Sequence, residues 1–92
     1  MSAPEVRLQR MQRDEPMYIG GTTDYRVYLG SRWVGWVGDG REWRGWRYGA
    51  RQWWACWRED GDIAARWNTD LNHASRAAAL AALLEQISAA SA

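Results

Sequence analysis

Residues 31–60 read SRWVGWVGDG (31–40), REWRGWRYGA (41–50) and RQWWACWRED (51–60), with Trp33, Trp43 and Trp53 each third in a block and Gly35, Gly45 and Ala55 each fifth. Ten residues is about the length of one strand and its turn, so the period predicts an even antiparallel meander. The small fifth residues leave room for rings on neighbouring strands. On this reading Arg32 to Val37 is one strand and Gly38-Asp39-Gly40 its turn, because glycine supplies the positive φ of a tight hairpin. Arg41 to Tyr48 is the next, turned by Gly49-Ala50. Arg51 to Trp57 follows, closed by Glu59-Asp60-Gly61.

Outward from this stretch, Tyr25, Val27 and Leu29 alternate ahead of a Gly30-Ser31 turn, and a short further strand is expected within Asp62 to Trp67. Beyond Trp67 the period changes. Leu80, Leu83, Leu84 and Ile87 fall at helical spacing among alanines, which predicts a helix starting behind Ser75 or, earlier, behind Asp70. The leucine stripe needs an apolar floor, and one side of the sheet supplies it. The expected class is therefore α+β: an antiparallel meander of three to five strands with one C-terminal helix packed on one face. Residues 1–22 read as an N-terminal arm broken by Pro4, Pro16 and Gly20-Gly21, with faint helical spacing at Val6, Leu8 and Met11. If the arm orders, Met17, Tyr18 and Ile19 form a short edge strand. Residues 23–88 form the single domain, and 89–92 a tail, with fraying expected from Ser88 onward.

Ninety-two residues bury only about 60 to 65 percent of the surface exposed by the unfolded chain, so the core is small. Eight tryptophans and four tyrosines, with no phenylalanine, give that core more indole than one helix can cover. Alternation sends rings to both faces of the sheet, and the face away from the helix is expected to present tryptophan and arginine. One local device would alter this. Trp33 to Trp36 and Trp43 to Trp46 are three apart and so change face in a flat strand, but a bulge at Gly35 or Gly45 returns them to one side.

All twelve basic residues are arginine. Residues 26–58 hold seven of them against Asp39 and Glu42, whereas the segments before and after are net acidic. The basic section is thus the tryptophan section. Arginine beside tryptophan on a sheet suits nucleic acid: guanidinium groups meet phosphates or guanine edges while Trp43 or Trp54 stacks on an unpaired base. The residues expected to carry such contacts are Arg26, Arg32, Trp33, Trp36, Arg41, Trp43, Arg44, Arg47, Trp54 and Arg58.

The order Arg32-Trp33-x-Gly35-Trp36-Val37, then a Thr69-led segment and the alanine-rich helix from Arg76 to Leu84, resembles AP2-type DNA-binding domains. That resemblance implies a sheet entering the major groove, with Arg26, Arg32, Trp33, Trp36, Arg41 and Arg44 at the matching contact positions. It covers about Tyr25 to Leu84 and departs from the family in the additional strand-like segment Arg51 to Trp67 and in the extra tryptophans. In general style the chain is also similar to small actinobacterial and actinophage proteins. The DNA-binding reading competes with a protein partner, either an acidic protein or a second copy in a homodimer, because tryptophan, tyrosine and arginine concentrate in binding hot spots. Carbohydrate is a lesser alternative, with Glu42, Gln52 and Asp39 beside coplanar indoles.

Enzymatic chemistry is not expected. His73 is the sole histidine and Cys56 the sole cysteine, which excludes an internal disulfide and an ordinary zinc site, and no nucleophile is placed beside His73. Gly38-Asp39-Gly40 lacks the lysine and following helix of a phosphate loop, and Glu59, Asp60 and Asp62 lack calcium-loop spacing. No cofactor or metal is therefore expected. The charged start contains no secretory leader pattern and no run approaches the roughly 20 apolar residues of a membrane span, so a cytoplasmic protein without membrane contact is the expectation.

Overall fold

In the computed structural model, which describes residues 5–11 and 20–91, the chain forms five strands and one helix: β1 (Val6–Met11), β2 (Asp24–Leu29), β3 (Arg32–Trp43), β4 (Tyr48–Trp57), β5 (Trp67–Asn68) and α1 (Arg76–Ser91). The strands lie in sequence order in one antiparallel sheet. The α+β meander expected from the sequence is present. Its boundaries differ in ways that move the exposed surface.

The largest difference lies in the quoted stretch. Gly38-Asp39-Gly40 and Gly49-Ala50 are not turns; β3 runs straight through the first and β4 through the second, with Gly38 opposite Trp54, Asp39 opposite Trp53 and Gly40 opposite Gln52. Two long strands replace three short ones. Gly38 is there for close approach: a Cβ on it would come within 2.5 Å of Trp54 Cζ2 and would also meet the Asp24 carboxylate. Asp39, read as a turn residue, is instead held inside the sheet by four donors described below.

A bulge also intervenes in β3. Val27 pairs with Gly35 and Tyr28 with Trp33, leaving Val34 as the extra residue, and Gly35 takes φ 146°, which a side chain would resist. The three-residue spacing is thereby reset. Trp33 and Trp36 lie side by side, rings 4.8 Å apart and nearly perpendicular, while Val34 and Val37 both turn to the helix side. That side holds the main core: Val27, Val34, Val37, Trp53, Ala55 and Trp57 beneath α1.

The helix starts behind Ser75, whose Oγ accepts the Ala78 N–H at 3.1 Å and whose carbonyl accepts that of Ala79. It continues to Ser91. Its buried line is Ala79, Leu83 and Ile87, four apart, with Leu80 and Leu84 half-buried at its flanks. The stripe is rotated from the leucine pattern because a fully buried alanine brings the backbone down onto the large indoles. Burying Leu83 alone contributes roughly 1.5–3 kcal/mol.

Within the expected arm, Val6–Met11 is a strand rather than helical: it pairs with β2 from Val6↔Leu29 to Met11↔Asp24. The three-residue step from Leu8 to Met11 puts them on opposite faces, one in each apolar cluster. The edge strand expected at Met17, Tyr18 and Ile19 lies outside the described residues. The strand expected in Asp62 to Trp67 shrinks to Trp67–Asn68 because the preceding loop is tied to itself. Asp62 donates its N–H to the Glu59 carbonyl and accepts from the Glu59 N–H, and both carboxylates accept from Arg66.

Candidate functional site

The second face of the sheet carries its own apolar cluster, and this corrects the expectation of tryptophans spread openly across it. Trp36 and Trp54 are 9 % and 1 % exposed and pack with Cys56, Met11, Trp33 and Leu71. A ring as enclosed as Trp54 cannot stack on a base. Trp33 is half-buried and donates its indole N–H to the Gly35 carbonyl, while the exposed Arg26 places its guanidinium 5.6 Å from the Trp33 ring centroid.

Exposed rings gather elsewhere, at the free end of the β3–β4 hairpin. Residues 41–48 are all exposed, with Trp43 at 55 %, Trp46 at 73 % and Tyr48 at 43 %. The reason is visible in the sequence: between Val37 and Ala55 the only aliphatic residue is Ala50. The helix-side core ends at Trp53, and beyond Asp39 the two strands run on as a ribbon for roughly 15 Å at about 3.3 Å per residue.

The ribbon closes at Arg44-Gly45-Trp46-Arg47, where the Arg44 N–H donates to the Arg47 carbonyl at 2.9 Å and Gly45 takes φ 91°. Trp43 and Tyr48 are register partners with rings 5.1 Å apart at 66°. Arg47 lays its guanidinium 4.6 Å from the Trp46 ring centroid. Arg44 crosses over Gly49, whose hypothetical Cβ would lie 2.9 Å from Arg44 Nε. Arg41, Arg44 and Arg47 make no ion pair among the described residues. The only acid on this ribbon is Glu42.

The ribbon is rooted at Asp39, which is 1 % exposed. Its carboxylate accepts from the Thr22 N–H (2.7 Å), the Thr22 hydroxyl (2.7 Å), the Thr23 N–H (2.8 Å) and Arg51 Nε (2.7 Å). Burial pushes its pKa up, but the donors from Thr23, Thr22 and Arg51 together outweigh that and hold it below the usual carboxylate range. Arg51 also stacks 4.6 Å from the Trp53 ring centroid, joining the ion pair to the core.

The ten residues expected to bind are thus divided. Arg41, Trp43, Arg44 and Arg47 come together at the hairpin end. Arg26, Trp33 and Trp36 lie together on the second face, with Trp54 enclosed beside them. Arg32 instead grips Glu59 through Nε and Nη2, and Glu59 also accepts from Trp57 Nε1 and Arg66. Arg58 donates to the Asp62 carbonyl at 3.1 Å. Sequence reasoning missed Trp46 and Tyr48, for which the aliphatic gap was the available signal.

Elsewhere, a shallow recess of about 210 Å3 is lined by Gln9, Arg10, Met11 and Arg26. His73 pairs its backbone with Trp53 in both directions, and Cys56 is buried with its thiol pushed up by that burial, against a smaller opposing pull from Arg58. Asp39, one of the groups considered for sugar binding, is closed to any ligand by its burial. Among the described residues no group of histidine, cysteine and acidic side chains is placed to hold a metal, and no helix is long and apolar enough to cross a membrane. The chain matches no protein-family model, no curated protein and no solved structure. The AP2 resemblance rests on the quoted motifs alone.

Proposed function

We propose that this chain is a non-enzymatic binding module that takes nucleic acid, DNA in the first instance, at the free end of its β3–β4 hairpin. One observation carries the reading: Trp43, Trp46 and Tyr48 stand exposed among Arg41, Arg44 and Arg47, none of which is engaged by a carboxylate among the described residues. Free guanidinium groups attract phosphate, and exposed rings beside them offer stacking or sugar contact.

The test is the salt dependence of binding to labelled DNA. Replacing Arg44 and Arg47 together by Ala should lower the slope of log affinity against log salt by about 1.5 while leaving the melting temperature unchanged. An unchanged slope would rule the hairpin out as the phosphate contact. A protein partner is the second reading, favoured by the concentration of tryptophan, tyrosine and arginine in one protruding patch. Light scattering separates the two: a dimer that persists at high salt and ignores DNA supports protein contact at this patch.

A further inference from the structure

Resting on the nucleic-acid reading, we infer that the hairpin selects unpaired bases over duplex, with Trp46 as the platform on which one base stacks. What distinguishes the two ligands is how many ring faces they need. Trp46 sits at the turn, is 73 % exposed, and has the Arg47 guanidinium 4.6 Å from its ring centroid. A guanidinium at that distance over a ring covers one face. Exposure of 73 % leaves the opposite face in solvent. Insertion between the base pairs of a duplex needs both faces of the inserted ring, whereas stacking a single unpaired base needs one. The geometry of Arg47 therefore favours the second mode.

Two more features fit it. Trp43, the other exposed indole, packs edge-to-face with Tyr48 and is 55 % exposed, so Trp46 at the turn is the more open of the two. Arg44, across the turn from Arg47, forms no ion pair among the described residues, which leaves its charge available to a phosphate. The Arg47 stack biases the indole toward this position before any ligand arrives, so less side-chain freedom is lost on binding.

The experiment compares fluorescence anisotropy of a labelled oligothymidylate with that of a labelled duplex of equal length, at one moderate salt concentration, using the full chain and its Trp46→Ala and Trp46→Phe variants. Pure electrostatics would favour the duplex, which has the higher charge density. The expected result is tighter binding to the single strand. Trp46→Ala should weaken single-strand binding roughly tenfold to a hundredfold, with Trp46→Phe retaining part of it and duplex binding almost unmoved. Duplex binding that equals or exceeds single-strand binding, or a Trp46→Ala loss of the same size on both ligands, overturns the base-stacking inference while leaving the nucleic-acid reading in place. Failure of the unsubstituted chain to bind either ligand overturns both.

Discussion

The two ends of the β3–β4 hairpin use the same residues to opposite effect. At the rooted end Trp36, Trp53, Trp54 and Trp57 are buried, framed by Val34, Val37, Ala55 and the helix or by Leu71 and Met11. At the free end Trp43 and Trp46 stand in solvent with arginines around them. The tryptophan spacing is alike in both, so the ring itself does not decide its fate. What decides it is whether aliphatic residues lie alongside and whether another element reaches over; beyond Asp39 the aliphatic residues give out and, among the described residues, only Gly20 approaches, at Arg41 and Tyr48.

Substitution of equivalent tryptophans is the strongest way to break this contrast. Trp54→Ala should destabilise the fold by about 3–5 kcal/mol, because the ring is enclosed and lies on Gly38 where nothing else can fill the space. Denaturant unfolding measures it, and a loss under 1 kcal/mol would mean that the second face is not a packed cluster. Next in size is the junction between the two ends. Asp39 has a depressed folded-state pKa, so its stabilisation is complete above the ordinary carboxylate pKa of about 3.9 and is lost as pH falls through the lower, folded value. Thermal melting from about pH 5 downward should show this loss, steepened by Glu59, lowered chiefly by the hydrogen bond from Arg32, and Asp62, lowered chiefly by that from Arg66. Asp39→Asn should lower stability at neutral pH and flatten the Asp39 share of the acid limb; an unaltered limb would remove Asp39 as the anchor. The smallest effect is expected at the free end. Trp43→Ala gives up its contact with Tyr48 and little else, a change of about 1 kcal/mol or less by the same denaturant measurement.

Much of the architecture was legible. The leucine and alanine period placed α1, since helical spacing is local, and the structure chose Ser75 over Asp70 as its cap. Strand alternation in Tyr25, Val27 and Leu29 placed β2. The strand ends were not legible in the same way. Gly38-Asp39-Gly40 carries the composition of a turn, and its real role depends on Trp54, Asp24, Thr22, Thr23 and Arg51, residues 12 to 17 positions away in the case of the Asp39 hydrogen bonds. The bulge at Gly35 was recognisable as an option from the odd Trp33–Trp36 spacing, but choosing it required knowing that Val34 and Val37 must share the helix side. Among the binding candidates, Arg32 and Arg58 went to the 58–66 loop because carboxylate and carbonyl acceptors met them there. For Arg32 this is a contact at a distance, with Glu59 27 positions away, whereas Arg58 reaches Asp62 only four residues on.

The sequence by itself determined the class: one amphipathic helix, alternating strands and more rings than a small core can hold, all of which follow from periods of two and near four along the chain. Which rings are hidden was decided only in three dimensions. Burial depends on what the sheet brings opposite each indole, and for Trp54 and Trp46 that is the difference between a glycine-floored pocket and open water.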